Sequence, residues 1–192
     1  MDSRHDQNYG YLSYERWGRN FFELAVTEER VAAAFGEIAG DELVMGPMAQ
    51  GPGRLARVTA RVKIQQPKAS RHLGDTITFA IRIPLIIDLL VDLRLDKQRF
   101  TVDGEISLRA TARAAAPLLL ILDVAKPRPT DISVHVESNS LRGEIVRIIG
   151  GVDAEIRRFI AAHVAEQIDA PESMQAKVID VAEMIDQTWA GV

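Results

Sequence analysis

The chain has 192 residues, 47% of them hydrophobic and 26% charged, with no cysteine and a formal net charge of −4. These are the values of a globular chain of one-domain size, and they exclude disulfides and thiolate chemistry within it. Aromatic residues make up only 6%, which leaves few platforms for stacking single-stranded bases, so no nucleic-acid partner is expected.

Residues 1–16, MDSRHDQNYGYLSYER, are polar and charged and lack the apolar stretch of a secretory signal. In the most hydrophobic region the longest uncharged apolar run, Ala114 to Leu122, has nine residues, against roughly 20 for a membrane helix. The expected location is the cytoplasm. Charge is unevenly spread. Leu43 to Gly74 holds Arg54, Arg57, Arg61, Lys63, Lys68 and Arg71 and no acid, whereas Asp153 to Asp186 is rich in acids. Such asymmetry suits steering of an anionic ligand, peripheral contact with a membrane or pairing with a second copy.

In chain order, residues 1–12 are expected to be disordered and 13–192 to form a single domain. Ser13 to Val26 fits a helix through Trp17, Phe21 and Leu24, or a strand through FFELAV. Thr27-Glu28-Glu29 predicts a helix start, with Thr27 as N-cap and two acids at the positive end of the dipole; Gly40 is the expected stop. GPMAQGPGR, 46–54, reads as a loop. LARVTARVKIQ, 55–65, predicts a strand with Ala56, Val58, Ala60, Val62 and Ile64 on one face and Arg57, Thr59, Arg61, Lys63 and Gln65 on the other. QPKASRHLGD reads as a connecting loop.

The run TITFAIRIPLIIDLLVDLRLD, 76–96, is apolar at ten consecutive odd positions, Ile77 to Leu95. It predicts a long strand, although PLIIDLLVDLR also has helical spacing, and Pro84 marks a bend or an edge. Ile86 and Leu90 fall on the other face, where they need a cover. Asp96-Lys97-Gln98 reads as a turn. RFTVDGEISLRATA continues the alternation, with Gly104 as a candidate bulge. Pro117 opens the strand PLLLILDV, KPRPTD is a loop, and DISVHVE, 131–137, is the last strand. From Leu141 the period changes, with Ile145, Ile148, Val152, Ile156, Phe159, Val164 and Ile168 recurring at helical spacing. This predicts a helix of about 28 residues, about 40 Å long, kinked at Gly150-Gly151. Asp169 to Glu172 ends it, and Met174, Val178, Val181 and Ile185 predict another. Loops this short exclude helical crossovers, so five or six strands should form one antiparallel sheet. The fold class is α+β: a long, highly curved antiparallel sheet wrapped around or packed on a long C-terminal helix, with an extra C-terminal helix.

No catalytic motif is present. His5, His72, His135 and His163 lack metal-ligand spacing, so no metal and no other cofactor is expected. Asp131, Ser133, His135 and Glu137 share a strand face, but neighbours about 7 Å apart do not close a triad, and a solvated face accounts for them. Asp88 and Asp92 interrupt the apolar run and are the catalytic candidates, as an acid–base pair with pKa values pushed apart. The commoner arrangement is a wet face on which Asp92 and Arg94 pair with neighbours. Arg57, Arg61 and Lys63 form a basic stripe, continued by Lys68, Arg71 and His72. It suits an anionic head group, or equally the outer face of a strand guarded against edge pairing.

From Gly53 to Ile168 the layout resembles the tubular lipid-binding superfamily, the group that includes SMP-type and BPI-type domains. RLARVTARVKIQ, TITFAIRIPLIIDLLVDLRLD, RFTVDGEISLRATA, PLLLILDV and the helix LRGEIVRIIGGVDAEIRRFIAAHVAEQI carry the resemblance. It implies a curved sheet around a helix, with a lipid in the seam. The layout is also similar to a START-like helix-grip fold, in which FFELAV would be the first strand. The function expected is noncatalytic binding of a lipid or other hydrophobic small molecule. Phe79, Ile81, Ile83, Leu89, Phe100, Ile149, Ile156 and Phe159 would line the seam, and Arg57, Arg61 and Lys63 would hold an anionic head. The alternatives are a homo-oligomeric interaction module, or a cyclase or isomerase acting on a polyketide-like substrate in the same cavity. The enzyme needs Asp88 or Asp92 inside that cavity with a raised pKa.

Overall fold

A computed structural model describes residues 10–36, 39–54, 56–93, 95–135 and 143–189. Ser13 caps helix α1 (Tyr14–Ala25), its hydroxyl accepting from the Arg16 N–H at 3.2 Å. The helical alternative for this segment is the one adopted, so the first strand of a helix-grip fold is missing. Thr27 caps α2 (Glu28–Ala34) in the same way, accepting from the Arg30 N–H at 3.3 Å, with Glu28 and Glu29 in the first turn. α2 stops at Phe35, earlier than expected. Beyond it the N–H of Gly40 donates to the Ile64 carbonyl at 2.8 Å, so the chain joins the sheet instead of extending the helix.

Eight strands follow: β1 (Glu42–Gln50), β2 (Ala56–Ile64), β3 (Lys68–Leu73), β4 (Ile77–Asp92), β5 (Lys97–Ala115), β6 (Leu119–Val124), β7 (Ile132–His135) and β8 (Val178–Asp180). They form one antiparallel sheet in the order β1-β2-β4-β5-β6-β8, with β3 also beside β4 and β7 also beside β5. β4 and β5 pair without interruption from Ile77↔Ala112 to Asp92↔Lys97. Strands of 16 and 19 residues accumulate far more right-handed twist than the usual five or six, and the sheet curls into a half-barrel. β2 and β3 take successive lengths of one edge of β4. Pro84 sits at the changeover, where its carbonyl accepts from the Gln65 N–H at 2.9 Å. Pro84 lies opposite Gln65 in the β2 register and has no N–H to return that bond, so the reciprocal ladder bond is unmade and β2 ends at Ile64.

Every odd position of β4 from Ile77 to Val91 is buried, as are Ala56, Val58, Ala60, Val62 and Ile64 of β2 and Val102, Ile106, Leu108, Ala110 and Ala112 of β5. The alternation ends there. Leu93 is half-buried and Leu95, in the turn, is fully exposed. Helix α3 (Gly143–Asp169) turns Val152, Ile156, Ile160, Ala161, Val164 and Ile168 into this core. It approaches β1 and β2 on one side and β7 with the turn at 129–131 on the other. α3 thus spans the mouth of a trough whose floor is β4 and β5.

Several local expectations are corrected. Most of 46–54 is strand, because β1 pairs with β2 through a bulge between Met45 and Met48. Gly46 makes the bulge possible: its φ is +109° and a Cβ there would stand 2.6 Å from the Val58 carbonyl oxygen. QPKASRHLGD contains β3, an edge strand without apolar alternation. Gly104 is no bulge, since its register with Leu85 is continuous; a Cβ there would lie 2.8 Å from the Ser133 carbonyl oxygen, so it admits β7 at close range. α3 runs as one helix through Gly150-Gly151. The last expected helix is two, α4 (Pro171–Ala176) and α5 (Val181–Trp189), divided by β8, which pairs with β6. Leu141, Val136 and Arg94 lie outside the described residues, as does most of the segment expected to be disordered.

Candidate functional site

The seam between sheet and helix is packed solid at most of its expected lining. Phe79, Ile81, Ile83, Leu89 and Ile156 are at most 2% exposed. Phe100 and Phe159 are half-buried, Phe100 against the core cluster, and the side chain of Ile149 is outside the described set. A ligand would reach these five residues only by displacing the close-packed side chains of the core around them.

The basic stripe stands on the opposite, convex face. Arg61 Nε meets Glu42 at 3.1 Å and Lys63 Nζ meets Asp88 at 3.3 Å, while Arg57 is in register with Asp92. The stripe and the concave core lie on the two sides of one sheet, so they cannot grip the head and tail of one seam-bound molecule. Ile86 and Leu90 are half-buried here. Lys63 and Asp103 flank Ile86 across the paired strands, and Thr59 and Arg99 flank Leu90. Lys63 and Arg99 have aliphatic stems suited to shielding such residues, while Leu90 also lines an open hollow with Arg61, Asp88, Arg99 and Thr101.

Asp88 and Asp92 are on that convex face too. Asp88 accepts from the Thr101 hydroxyl at 2.8 Å and from Lys63, and these partners hold its carboxyl below the ordinary range, Thr101 most of all. A general acid at neutral pH needs the opposite shift. Asp92 pairs with Lys97 at 3.4 Å. The other polar strand residues also stay apart: Asp131 binds Arg128, and the Ser133 hydroxyl donates to the Glu105 carbonyl. His72 and His135 are exposed, and His163 has a buried Nε2 with no hydrogen-bond partner among the described residues. Among the described residues no cluster of three metal-ligating side chains occurs, and no helix is long and apolar enough to cross a membrane.

An open concavity lies elsewhere, where α1, β6, β8 and α5 meet. This groove of about 730 Å³ is walled by Phe21 and Leu24 of α1, Leu120 of β6, Ile179 of β8 and Met184 and Ile185 of α5. Leu24 is 75% exposed and Met184 57%, so large apolar groups face water around one hollow. Local sequence builds each wall: Ser13 fixes the start of α1, and Asp180 accepts from the Glu183 N–H at 3.0 Å at the start of α5. Among the described residues Arg30, at the rim, is the only charged one in the lining. Arg71, expected in the loop that continues the basic stripe, stands on β3 and is a strut. Its backbone N–H donates to Glu28 at 2.6 Å, and its Nη1 donates to the carbonyls of Glu23 and Val26 at 2.6 and 3.0 Å. A smaller hollow of about 260 Å³ between Phe35, Val164, Ile168 and Lys177 is occupied at its edge by the Lys177 ammonium, which donates to the Ile168 carbonyl.

Fold and groove define an α+β protein with a curled antiparallel half-barrel sheet, closed by a long helix and carrying an apolar hollow at one end. No protein-family model and no curated protein matches the sequence. Among solved structures the chain is similar to a lipopolysaccharide-binding protein, at 11% identity and a TM-score of 0.38, over 82% of this chain and 38% of that one.

Proposed function

We propose that the chain is a noncatalytic binder of a lipid or other hydrophobic small molecule, held in the groove between α1, β6, β8 and α5. The observation that supports this is the groove's lining. Its volume of about 730 Å³ falls in the range of small-molecule sites, which are mostly apolar with a few polar groups. Exposed Leu24, Ile179, Met184 and Ile185 would be desolvated on binding, a gain of about 25 cal/mol per Å² of apolar surface. The position of Asp88 and Asp92 outside the trough gives a cyclase or isomerase no acid–base pair to use.

The test is a titration with the uncharged fluorophore N-phenyl-1-naphthylamine, together with mass spectrometry of solvent extracts of purified protein. Saturable binding at one site per chain, abolished in Leu24→Asp or Ile185→Asp, is the expected result. Fluorescence unaffected by those two substitutions would show that the probe sits elsewhere.

A further inference from the structure

We propose that the ligand is a single-chain amphiphile with a carboxylate head, a free long-chain fatty acid, and that Arg30 holds the head. This rests on the groove being the ligand site. The Arg30 guanidinium is already oriented, because its Nη1 donates to the carbonyls of Ala25 at 2.9 Å and Leu24 at 3.3 Å. Arginine has five N–H donors in a planar fork. Nε and Nη2 take no hydrogen bond among the described residues, and none of their ion pairs uses Arg30. A carboxylate fits such a fork through two parallel N–H···O bonds.

The rest of the groove suits a tail. Among the described residues Thr188 is the only other one in the lining with a polar side chain, and its hydroxyl donates to the Met184 carbonyl at 2.9 Å. The hollow has one charged point and apolar walls, which is the chemistry of an amphiphile with a compact anionic head. Its volume matches a ligand of drug size, which a two-chain lipid exceeds. An anionic membrane surface is a poorer occupant. α5 carries Glu183 and Asp186, and α1 offsets Arg16 and Arg19 with Glu15 and Glu23, so no basic field faces outward. A second copy is poorer too. A two-fold contact sets the same patch against itself, and among the described residues the lining holds no acid to meet a buried Arg30.

The experiment compares palmitate with hexadecanol, each displacing N-phenyl-1-naphthylamine from the full chain below the micelle concentration. Wild type should bind palmitate about tenfold or more tightly than hexadecanol, as a charged hydrogen-bonded pair implies. In Arg30→Gln that preference should collapse, and Arg30→Lys should restore part of it. Equal affinity of wild type for the two compounds overturns the assignment whether or not Arg30→Gln keeps α1 folded. So does an undiminished preference in Arg30→Gln, binding only to vesicles of phosphatidylglycerol, or a dimer by sedimentation that palmitate does not dissociate. Displaceable probe without palmitate preference leaves the groove as a ligand site and removes the fatty acid; failure of the probe itself to bind removes the groove.

Discussion

Arg30 and Arg71 together take up the carbonyl end of α1. Arg30 Nη1 donates to Leu24 and Ala25, and Arg71 Nη1 donates to Glu23 and Val26. α1 has no basic residue in its own last turn, so both cations arrive from elsewhere, Arg30 from α2 and Arg71 from β3. They satisfy carbonyls that a helix end leaves unpaired and sit at its negative pole. Arg71→Met should destabilise the fold by about 1.5–3 kcal/mol, the range for hydrogen bonds to a charged group. Urea unfolding reads the loss, and hydrogen exchange should speed up most in 22–27. Unchanged exchange there would mean that α1 is held by its packing alone.

The convex-face charge lattice should reveal itself in acid. The pKa of Asp88 is lowered below its ordinary 3.8 by Thr101 first, and then by Lys63. A carboxyl with a lower pKa folded than unfolded contributes stability above the unfolded value, and that contribution is lost as pH falls through the folded one. Asp88→Asn should therefore cost little at neutral pH, about 0.5 kcal/mol or less for a pair this exposed. The difference between variant and wild type should shrink below pH 3.8. Melting curves across that range are the check; a difference that grows in acid contradicts the assignment.

Two glycines carry separate packing constraints. Gly104→Ala drives a methyl against the Ser133 carbonyl oxygen, and Gly46→Ala does so against that of Val58 with a positive φ added. Each should lose about 1–3 kcal/mol, with Gly46→Ala the worse. A thermal shift within error for either would show that β7 or β1 moves aside freely.

The buried interface of α3 should behave as ordinary core. Ile160, fully buried, should cost about 2–5 kcal/mol when truncated to Ala. The same substitution should leave the affinity of the groove for N-phenyl-1-naphthylamine unchanged, because none of its described lining residues comes from α3. A matching loss of probe binding would put the ligand in the seam.

Sheet and long helix were legible because burial imposes periods that need no partner to be seen. β2 and the stretch from Ile77 to Val91 alternate, and Val152 to Ile168 repeat at helical spacing. β1 was hidden because Gly46-Pro47 signals a loop, while its pairing with β2 overrides that signal. β3 was hidden because an edge strand such as KASRHL turns only Ala69 and Arg71 partly inward, too few for an apolar alternation. The groove left no local trace, since Phe21, Leu120 and Ile185 meet only through the fold. The struts are equally nonlocal: Arg71 lies 48 residues from Glu23. Ile86 and Leu90 pointed to a missing cover; polar neighbours on β2 and β5 flank both, and Leu90 borders an open hollow.

The most direct measurement is photolabelling with a long-chain fatty acid carrying a diazirine in mid-tail, followed by peptide mass spectrometry. The groove predicts labels on α1 around Phe21 and Leu24 and on α5 around Met184 and Ile185, competed away by palmitate. Labels on the trough, at Ile81, Ile83 or Ile156, would contradict it and return the ligand to the seam.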